Sequence, residues 1–353
     1  MEVDQPMIEM RSDTFTLPTE DMMAAIAAAP LGDDVYGEDP TVRELEETAA
    51  HTLGKESACL MPSGTMANLA AIMAHCPRGA KVLVGAESDI YLYEAAGAVV
   101  CGGVTYEPLP NQPDGTLLLD DLRAGLAEDA EDPQFALPGL ICLENTQNRC
   151  GGVPLSLGYQ DEVRRFADEQ GLPVHLDGAR LFNAAVALGV APAEVARAAD
   201  SVQFCLSKGL GAPIGSVVAG SADFIASVHR IRKMLGGGMR QAGIVAAAGL
   251  VALADAGRVA EDHANARAFA EGLAGIPGVE VDPDTVRTNI LLFRVVAGGF
   301  TPASFVHTAH RAGLRVGEFG HGRIRAVLHS GVSRQDVDIA LDRVTKALAG
   351  GPA

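Results

Sequence analysis

Two residues in the middle of the chain, Asp177 and Lys208, have the types and spacing to do chemistry together. Asp177 lies in V-H-L-D-G-A-R, which also carries His175 and Arg180, and Lys208 lies in S-V-Q-F-C-L-S-K-G. Each run reads as a short strand ending in polar residues at a sheet rim, so a carboxylate and an amine about thirty residues apart can converge on one bound molecule. A buried amine can take an aldehyde covalently, and a buried carboxylate can keep a pyridine nitrogen protonated so that the ring accepts electrons. A pyridoxal phosphate site requires that pair.

Other residues suit the same ligand. In A-C-L-M-P-S-G-T-M-A-N, an apolar strand turns through Ser63, Gly64 and Thr65 into a helix. Free backbone N–H groups and two hydroxyls there form an anion cradle, although Ser-Gly-Thr is equally an ordinary N-cap. K-M-L-G-G-G-M-R places Arg240 after three glycines, either as a phosphate ligand or as part of a plain turn. Near the start, M-R-S-D-T holds Arg11 and Ser12, which reach a site or simply cap a turn, and Tyr36 lies in the turn-rich G-D-D-V-Y-G-E-D-P. The six cysteines show no C-x-x-C spacing and read as reduced core residues, with no metal site expected.

The elements that must position these groups follow from periodicity. Short β-branched runs (A-C-L-M, K-V-L-V-G, G-V-T-Y-E-P-L, G-L-I-C-L-E, P-V-H-L-D, S-V-Q-F-C, G-S-V-V-A-G) alternate with helix-period stretches such as L-G-Y-Q-D-E-V-R-R-F-A-D-E-Q, closed by Gly171. This predicts an α/β fold with a mostly parallel sheet covered on both faces, its ligands at the carboxyl ends of the strands. A helix is predicted after Thr19 and another from Pro40, with acids near its positive end. The Ala-rich run after Arg240 is expected to link two domains. The expected division is an N-terminal segment over 1–20 contributing to the site, a large domain over 21–257 and a small α+β domain over 258–353.

With 27 Lys+Arg against 45 Asp+Glu, the net charge of -18 argues against nucleic acid or an anionic membrane as a partner. The acidic start, Met1-Glu-Val-Asp-Gln-Pro, has no apolar core after it, so a cytoplasmic protein without a signal peptide is expected.

The motifs M-R-S-D-T, G-D-D-V-Y-G-E-D-P, M-P-S-G-T-M-A-N, L-E-N-T-Q-N-R-C-G-G, V-H-L-D-G-A-R-L-F-N-A, F-C-L-S-K-G-L-G-A-P-I-G-S, K-M-L-G-G-G-M-R-Q-A-G and I-R-A-V-L-H occur in this order through nearly the whole chain. In that order they resemble the low-specificity L-threonine aldolases, pyridoxal-phosphate enzymes of the aspartate-aminotransferase-like fold (fold type I) in the β-eliminating lyase superfamily. The resemblance implies that Lys208 holds the cofactor aldehyde and that Asp177 partners its ring nitrogen. It implies that Ser63, Gly64 and Thr65 cradle the phosphate and that Arg240 reaches a phosphate from a neighbouring subunit. Ser12, Arg180 and Arg325 would bind the substrate carboxylate, with Tyr36 on the substrate side. A homo-oligomer is implied, a dimer-based tetramer with shared active sites.

Two positions depart from that pattern. Asp89, in A-E-S-D-I-Y-L-Y-E, stands where the family has a histidine stacked on the cofactor, and Gln147, in E-N-T-Q-N-R, where it has one close to the substrate hydroxyl. Cleaving Cα–Cβ of a β-hydroxy amino acid needs a base for the hydroxyl proton, a task suited to histidine. Glutamine cannot serve, and free aspartate, at about 3.9, is a weak base. His175 is expected to be a structural neighbour of Asp177 and not a substitute base. The expectation is reversible cleavage of a non-threonine β-hydroxy-α-amino acid to glycine and an aldehyde, with Asp89 and Gln147 setting Cβ specificity. The alternatives are another reaction at Cα (β-elimination, racemisation or transaldol-type transfer) or a non-catalytic cofactor-binding protein.

Overall fold

A computed structural model describes residues 7–352; the acidic start read for a leader, part of the expected 1–20 segment, and Ala353 lie outside the described residues. The large sheet is seven-stranded: β2 (Ser57–Met61), β3 (Lys81–Gly85), β4 (Thr105–Leu109), β5 (Pro138–Glu144), β6 (Val174–Asp177), β7 (Ser201–Cys205) and β8 (Ser216–Gly220), after a short β1 (Ile8–Glu9) that lies elsewhere. Its order is β2-β8-β7-β6-β5-β3-β4, parallel from β7 to β4, with β8 antiparallel to both neighbours. Six of these strands are largely buried and read as apolar runs, whereas the edge strand β4 is mostly open and shows in the sequence through its β-branched and aromatic residues.

Helices cover both faces: α1 (Glu20–Ala28), α2 (Pro40–Leu53), α3 (Gly64–His75), the single turn α4 (Asp89–Leu92), α5 (Leu119–Ala124), α6 (Leu157–Gln170), α7 (Leu181–Leu188), α8 (Pro192–Ala196), α9 (Ala222–Met234) and α10 (Gly243–Ala254). Thr19 caps α1 through its hydroxyl, and Gly171 ends α6 at a φ of 66°. Around Pro40 the reading needs correction. Glu44, Glu46 and Glu47 lie beyond the first turn, and the only carboxylate at the positive end is that of the N-cap, Asp39, which accepts from Thr41 and Val42 N–H.

A second core holds α11 (Val259–Ala274), β9 (Val279–Glu280), β10 (Ile290–Val295), α12 (Pro302–Arg311), β11 (Leu314–Arg315), β12 (Gly317–Glu318), β13 (Ile324–Val327) and α13 (Arg334–Ala349). Four of these strands form an antiparallel sheet ordered β12-β13-β10-β9. Ile8 and Met10 also belong to this core, because β1 pairs in parallel with β11. The Ala-rich α10 does not link the two cores as expected; it packs on α1 and α2, and α11 reaches from α7 to α13. Alanine and glycine let α10 sit close to its neighbours, whereas α11 has large residues, Phe269 and Leu273, to bury in the second core. Of the cysteines, Cys101 is exposed and Cys150 half-buried, which corrects the reading of all six as core. No single helix among the described residues is long and apolar enough to cross a membrane.

Candidate active site

The carboxyl ends of β5, β6 and β7 put Glu144, Asp177 and Gln203 side by side in one rung. Above that rung lies a cavity of about 380 Å³ whose wall includes Ser63, Gly64, Thr65, Asp89, Asp177 and Lys208. At its anion end, the Ser63 hydroxyl accepts from Met66 N–H at 3.2 Å, while the N–H groups of Gly64 and Thr65 begin α3 without helical partners. Glycine is needed at position 64, since a Cβ there would lie 2.8 Å from Cys205 Sγ.

Asp177 is held at both oxygens: Asn68 Nδ2 donates to Oδ2 at 2.9 Å, and Gln203 Nε2 and Ala179 N–H donate to Oδ1 at 2.5 and 3.0 Å. Asn68 Nδ2 also donates to Glu94 at 2.8 Å, so Asn68 Oδ1 must accept, from His175 Nε2 at 3.0 Å. His175 Nδ1 then accepts from Ser201 Oγ at 2.8 Å, and Ser201 accepts from His75 Nε2 at 2.7 Å. Only one arrangement of protons satisfies this chain. Burial keeps both rings neutral, lowering His75 to about 4 and His175 to about 3. Burial, and then Asp177, push Glu94 to about 8. Burial also raises Asp177, with Lys208 opposing it. Lys208 is pulled down by its burial, but Cys205, Asp89 and Asp177 outweigh this and leave it above the ordinary lysine value.

Beside the cavity lie the cationic groups. Arg180 Nε and Nη2 both donate to Asp13 at 2.7 Å, in a pair with almost no exposure, which leaves Nη1 without a protein partner. Burial alone would raise Asp13, yet Arg180, Lys208 and Asn289 hold it well below the usual carboxylate range. Arg325 donates from Nη1 to Asn148 Oδ1 at 2.7 Å and from Nη2 to the Arg11 carbonyl at 3.0 Å, and its buried Nε has no partner. Burial, and then Arg180, bring Arg325 down to about 10. Asn148 passes the link on, donating from Nδ2 to Asp89 Oδ1 at 3.0 Å. Glu144 lies beneath, accepting from the N–H groups of Asp89 and Asn148, and burial, followed by the nearby Asp89, pushes it well above the ordinary glutamate value.

Of the residues singled out in the sequence, six line the cavity; Arg325 is linked to its wall through Asn148 and Asp89, and Arg180, paired with Asp13, is near enough for its charge to act on Lys208. Ser12 is used locally: its hydroxyl caps the turn that starts at Asp13, accepting from Thr14. Gln147 is not among the residues that line the cavity. It is 1% exposed, its Nε2 donates to the Glu87 carbonyl and its Oε1 accepts from Cys150 N–H, so both amide groups are spent on loop backbone. Tyr36 and Arg240 are 75% and 54% exposed, in loops joined by an Asp34 N–H to Arg240 carbonyl bond and by an Arg240–Asp33 ion pair, away from this cavity. Sequence reasoning missed Asp13, Asn68, Glu94, Glu144 and Asn148. All five sit inside the quoted motifs, Asp13 in M-R-S-D-T, Asn68 in M-P-S-G-T-M-A-N, Glu94 in A-E-S-D-I-Y-L-Y-E and Glu144 and Asn148 in E-N-T-Q-N-R, so proximity to the motifs was the available signal.

A cradle closed by Gly64, a doubly anchored carboxylate and a lysine in one cavity fit pyridoxal phosphate at its phosphate, ring nitrogen and aldehyde. Comparison with known proteins points the same way. Residues 9–295 match the family described as "Beta-eliminating lyase". The chain is 44% identical over 337 residues to the probable low-specificity L-threonine aldolase 2 of Arabidopsis thaliana, covering 95% of each. It is 47% identical over 292 residues to the low specificity L-threonine aldolase of Escherichia coli K12, covering 82% of this chain and 85% of that one. In fold it superposes on a threonine aldolase of Leishmania major with a TM-score of 0.81 at 18% identity, covering 96% of this chain and 99% of the other. A Sphingomonas wittichii serine palmitoyltransferase shares the fold at 0.75 and 19% identity, covering 98% and 89%. The chain therefore belongs to the β-eliminating lyase family and, within it, to the threonine aldolase group: it is a pyridoxal-phosphate-dependent carbon–carbon lyase of fold type I.

Proposed function

We propose that this lyase reversibly cleaves the Cα–Cβ bond of a β-hydroxy-α-amino acid other than threonine, giving glycine and an aldehyde. The observation that carries this reading is Asp89, a carboxylate in the cavity wall at the position where the resemblance to the threonine aldolases implies a histidine. When bound, pyridoxal phosphate supplies an electron sink for the charge left on Cα. Lys208 would hold its aldehyde carbon, Asp177 its ring nitrogen, and Ser63, Gly64 and Thr65 its phosphate. Arg180 Nη1 and Arg325 Nε, both without protein partners, would orient the substrate carboxylate, with the loop of Ser12 as its wall. Asp89 Oδ2, whose sister oxygen is fixed by Asn148, would take the hydroxyl proton. Gln147 would shape the loop behind Asp89 and leave Cβ untouched.

Glycine release from L-threonine, L-allo-threonine and β-hydroxy amino acids with larger or more polar Cβ groups tests the reading. Threonine is expected to fall at least about tenfold behind the best substrate, the scale on which a pocket discriminates one small group. Threonine as the best substrate sinks it. Solvent deuterium entering Cα with no cleavage of any member of the panel would replace it by a reaction at Cα alone.

We further infer a dimer-based homo-oligomer in which Tyr36 and Arg240 serve a neighbouring subunit's site, a reading supported by their exposure away from this chain's cavity. Mixing inactive Lys208→Ala and Arg240→Ala chains should then restore activity, and no recovery after subunit exchange would refute the sharing. The division near residues 257 and 258 belongs to the same proposal; the two main cores support it, except that Ile8 and Met10 join the second and Val259 the first.

A further inference from the structure

Away from the cavity, the described residues bring one group of metal-ligand atoms together. The Glu46 carboxylate of α2, the Cys59 thiol of β2 and the His229 imidazole of α9 lie within 4.8 Å of one another. Cys59 Sγ is 3.5 Å from His229 Nδ1. Zinc bonded to sulfur at about 2.3 Å and to nitrogen at about 2.0–2.1 Å, at a tetrahedral angle, holds those two atoms about 3.5 Å apart. Leu60 N–H donates to Glu46 Oε1 at 2.7 Å, which fixes the carboxylate and leaves Oε2 to point a lone pair elsewhere. Next to the three lies a cavity of about 220 Å³, lined by Glu46, Glu47, Glu56, Arg43 and His229, which offers an entry path and room for water as a fourth ligand. On the far side Arg232 donates to the Leu60 carbonyl at 2.7 Å and is paired with Asp34 at 2.9 Å, so its charge is already met.

We propose that Glu46, Cys59 and His229 bind one thiophilic divalent cation of the zinc class per chain, with water completing a tetrahedron. A thiolate, a carboxylate and a neutral imidazole balance a divalent charge. A thiolate and a carboxylate bind such an ion only in their deprotonated forms, so binding displaces any proton they carry. The bound ion would tie α9 to α2 and β2, at the base of the loop that carries Gly236 to Gly238 and Arg240.

The test is a titration of chelator-treated holoenzyme with Co2+ as the probe. The expected result is a thiolate-to-cobalt charge-transfer band with the intense visible absorption of tetrahedral cobalt, saturating at one ion per chain and erased by Zn2+. Cys59→Ser should remove the band. Because Cys59 is buried, His229→Gln and Glu46→Gln serve as second variants, and each should weaken Co2+ binding at least tenfold while the metal-free lyase rate stays at the wild-type level. Cys101→Ser should keep the band. Absence of the band, its persistence in Cys59→Ser or His229→Gln, or its loss in Cys101→Ser would each overturn the assignment.

Discussion

Asp89 gives the sharpest residue-scale expectations. As the proton acceptor it should be replaceable by asparagine with the bound cofactor's absorbance intact, and kcat should fall by about 10²–10⁴-fold, the usual contribution of a positioned base. An unchanged rate in Asp89→Asn would remove the role. Asp89→His alone should raise threonine cleavage, whereas adding Gln147→His should not help. That second change strips partners from the Glu87 carbonyl and Cys150 N–H and should cost about 1–3 kcal/mol of stability by denaturant unfolding. Asp13→Ala leaves Arg180 charged and unpaired at almost zero exposure, and a loss of about 3–5 kcal/mol is expected. At this scale the sequence was most informative where chemistry dictates residue type, as with Lys208 and Asp177. It placed Asn68, Glu94 and Asn148 inside motifs but gave them no role, because their partners lie tens to hundreds of residues away and leave no local spacing to read.

Among the elements, the rung across β5, β6 and β7 and the start of α3 do the positioning. Asn68 in α3 joins that rung to Glu94 and His175, so Asn68→Ala should free Asp177 on one side. Two hydrogen bonds to acidic groups disappear, and cofactor affinity should drop roughly tenfold to a hundredfold, read from equilibrium dialysis of pyridoxal phosphate. Affinity within twofold of wild type would show that Gln203 and Ala179 suffice. Six of the seven strands were legible because burial writes an apolar run between turn formers, and the edge strand β4 because of its β-branched and aromatic residues. Elements made by distant pairing were not: β1 and β11 are two residues each, and α4 is one turn with no period to detect. The placement of α10 was misread for a related reason, since an Ala-rich composition reports close packing without naming the partner.

For the molecule as a whole, buried titratable groups set opposing pH trends. Burial lowers His75, His229 and His263 to about 4 and His175 to about 3. Below the unfolded histidine value of about 6.5 the unfolded chain binds the extra protons, so stability is lost as pH falls from there towards the folded values. Burial raises Asp262, Glu46 and Glu94 to about 6, 7 and 8. Here the folded chain holds the protons, so stability is lost as pH rises from the unfolded carboxylate values, about 4. The urea midpoint of the cofactor-free protein should therefore be broadly level between about pH 4.5 and 6.5 and decline on either side, towards 8 on the alkaline side. A midpoint that climbs from pH 6.5 to 8 would contradict this. The two cores were foreseeable from the change in texture near Arg258, but the return of Ile8 and Met10 to the second core was not, because a two-residue parallel pairing 306 residues apart has no sequence signature. That pairing also imposes an order in time. During synthesis, Ser63 to Lys208 emerge early enough to build the cofactor cavity, but the first strand has nothing to pair with until β11 leaves the ribosome. The proposed seat for the substrate carboxylate, where Asn289 meets Asp13 and Arg325 meets the Arg11 carbonyl, is thus completed only after the second core's strands have emerged, so a nascent chain would form the proposed cofactor cavity before the proposed grip on its substrate.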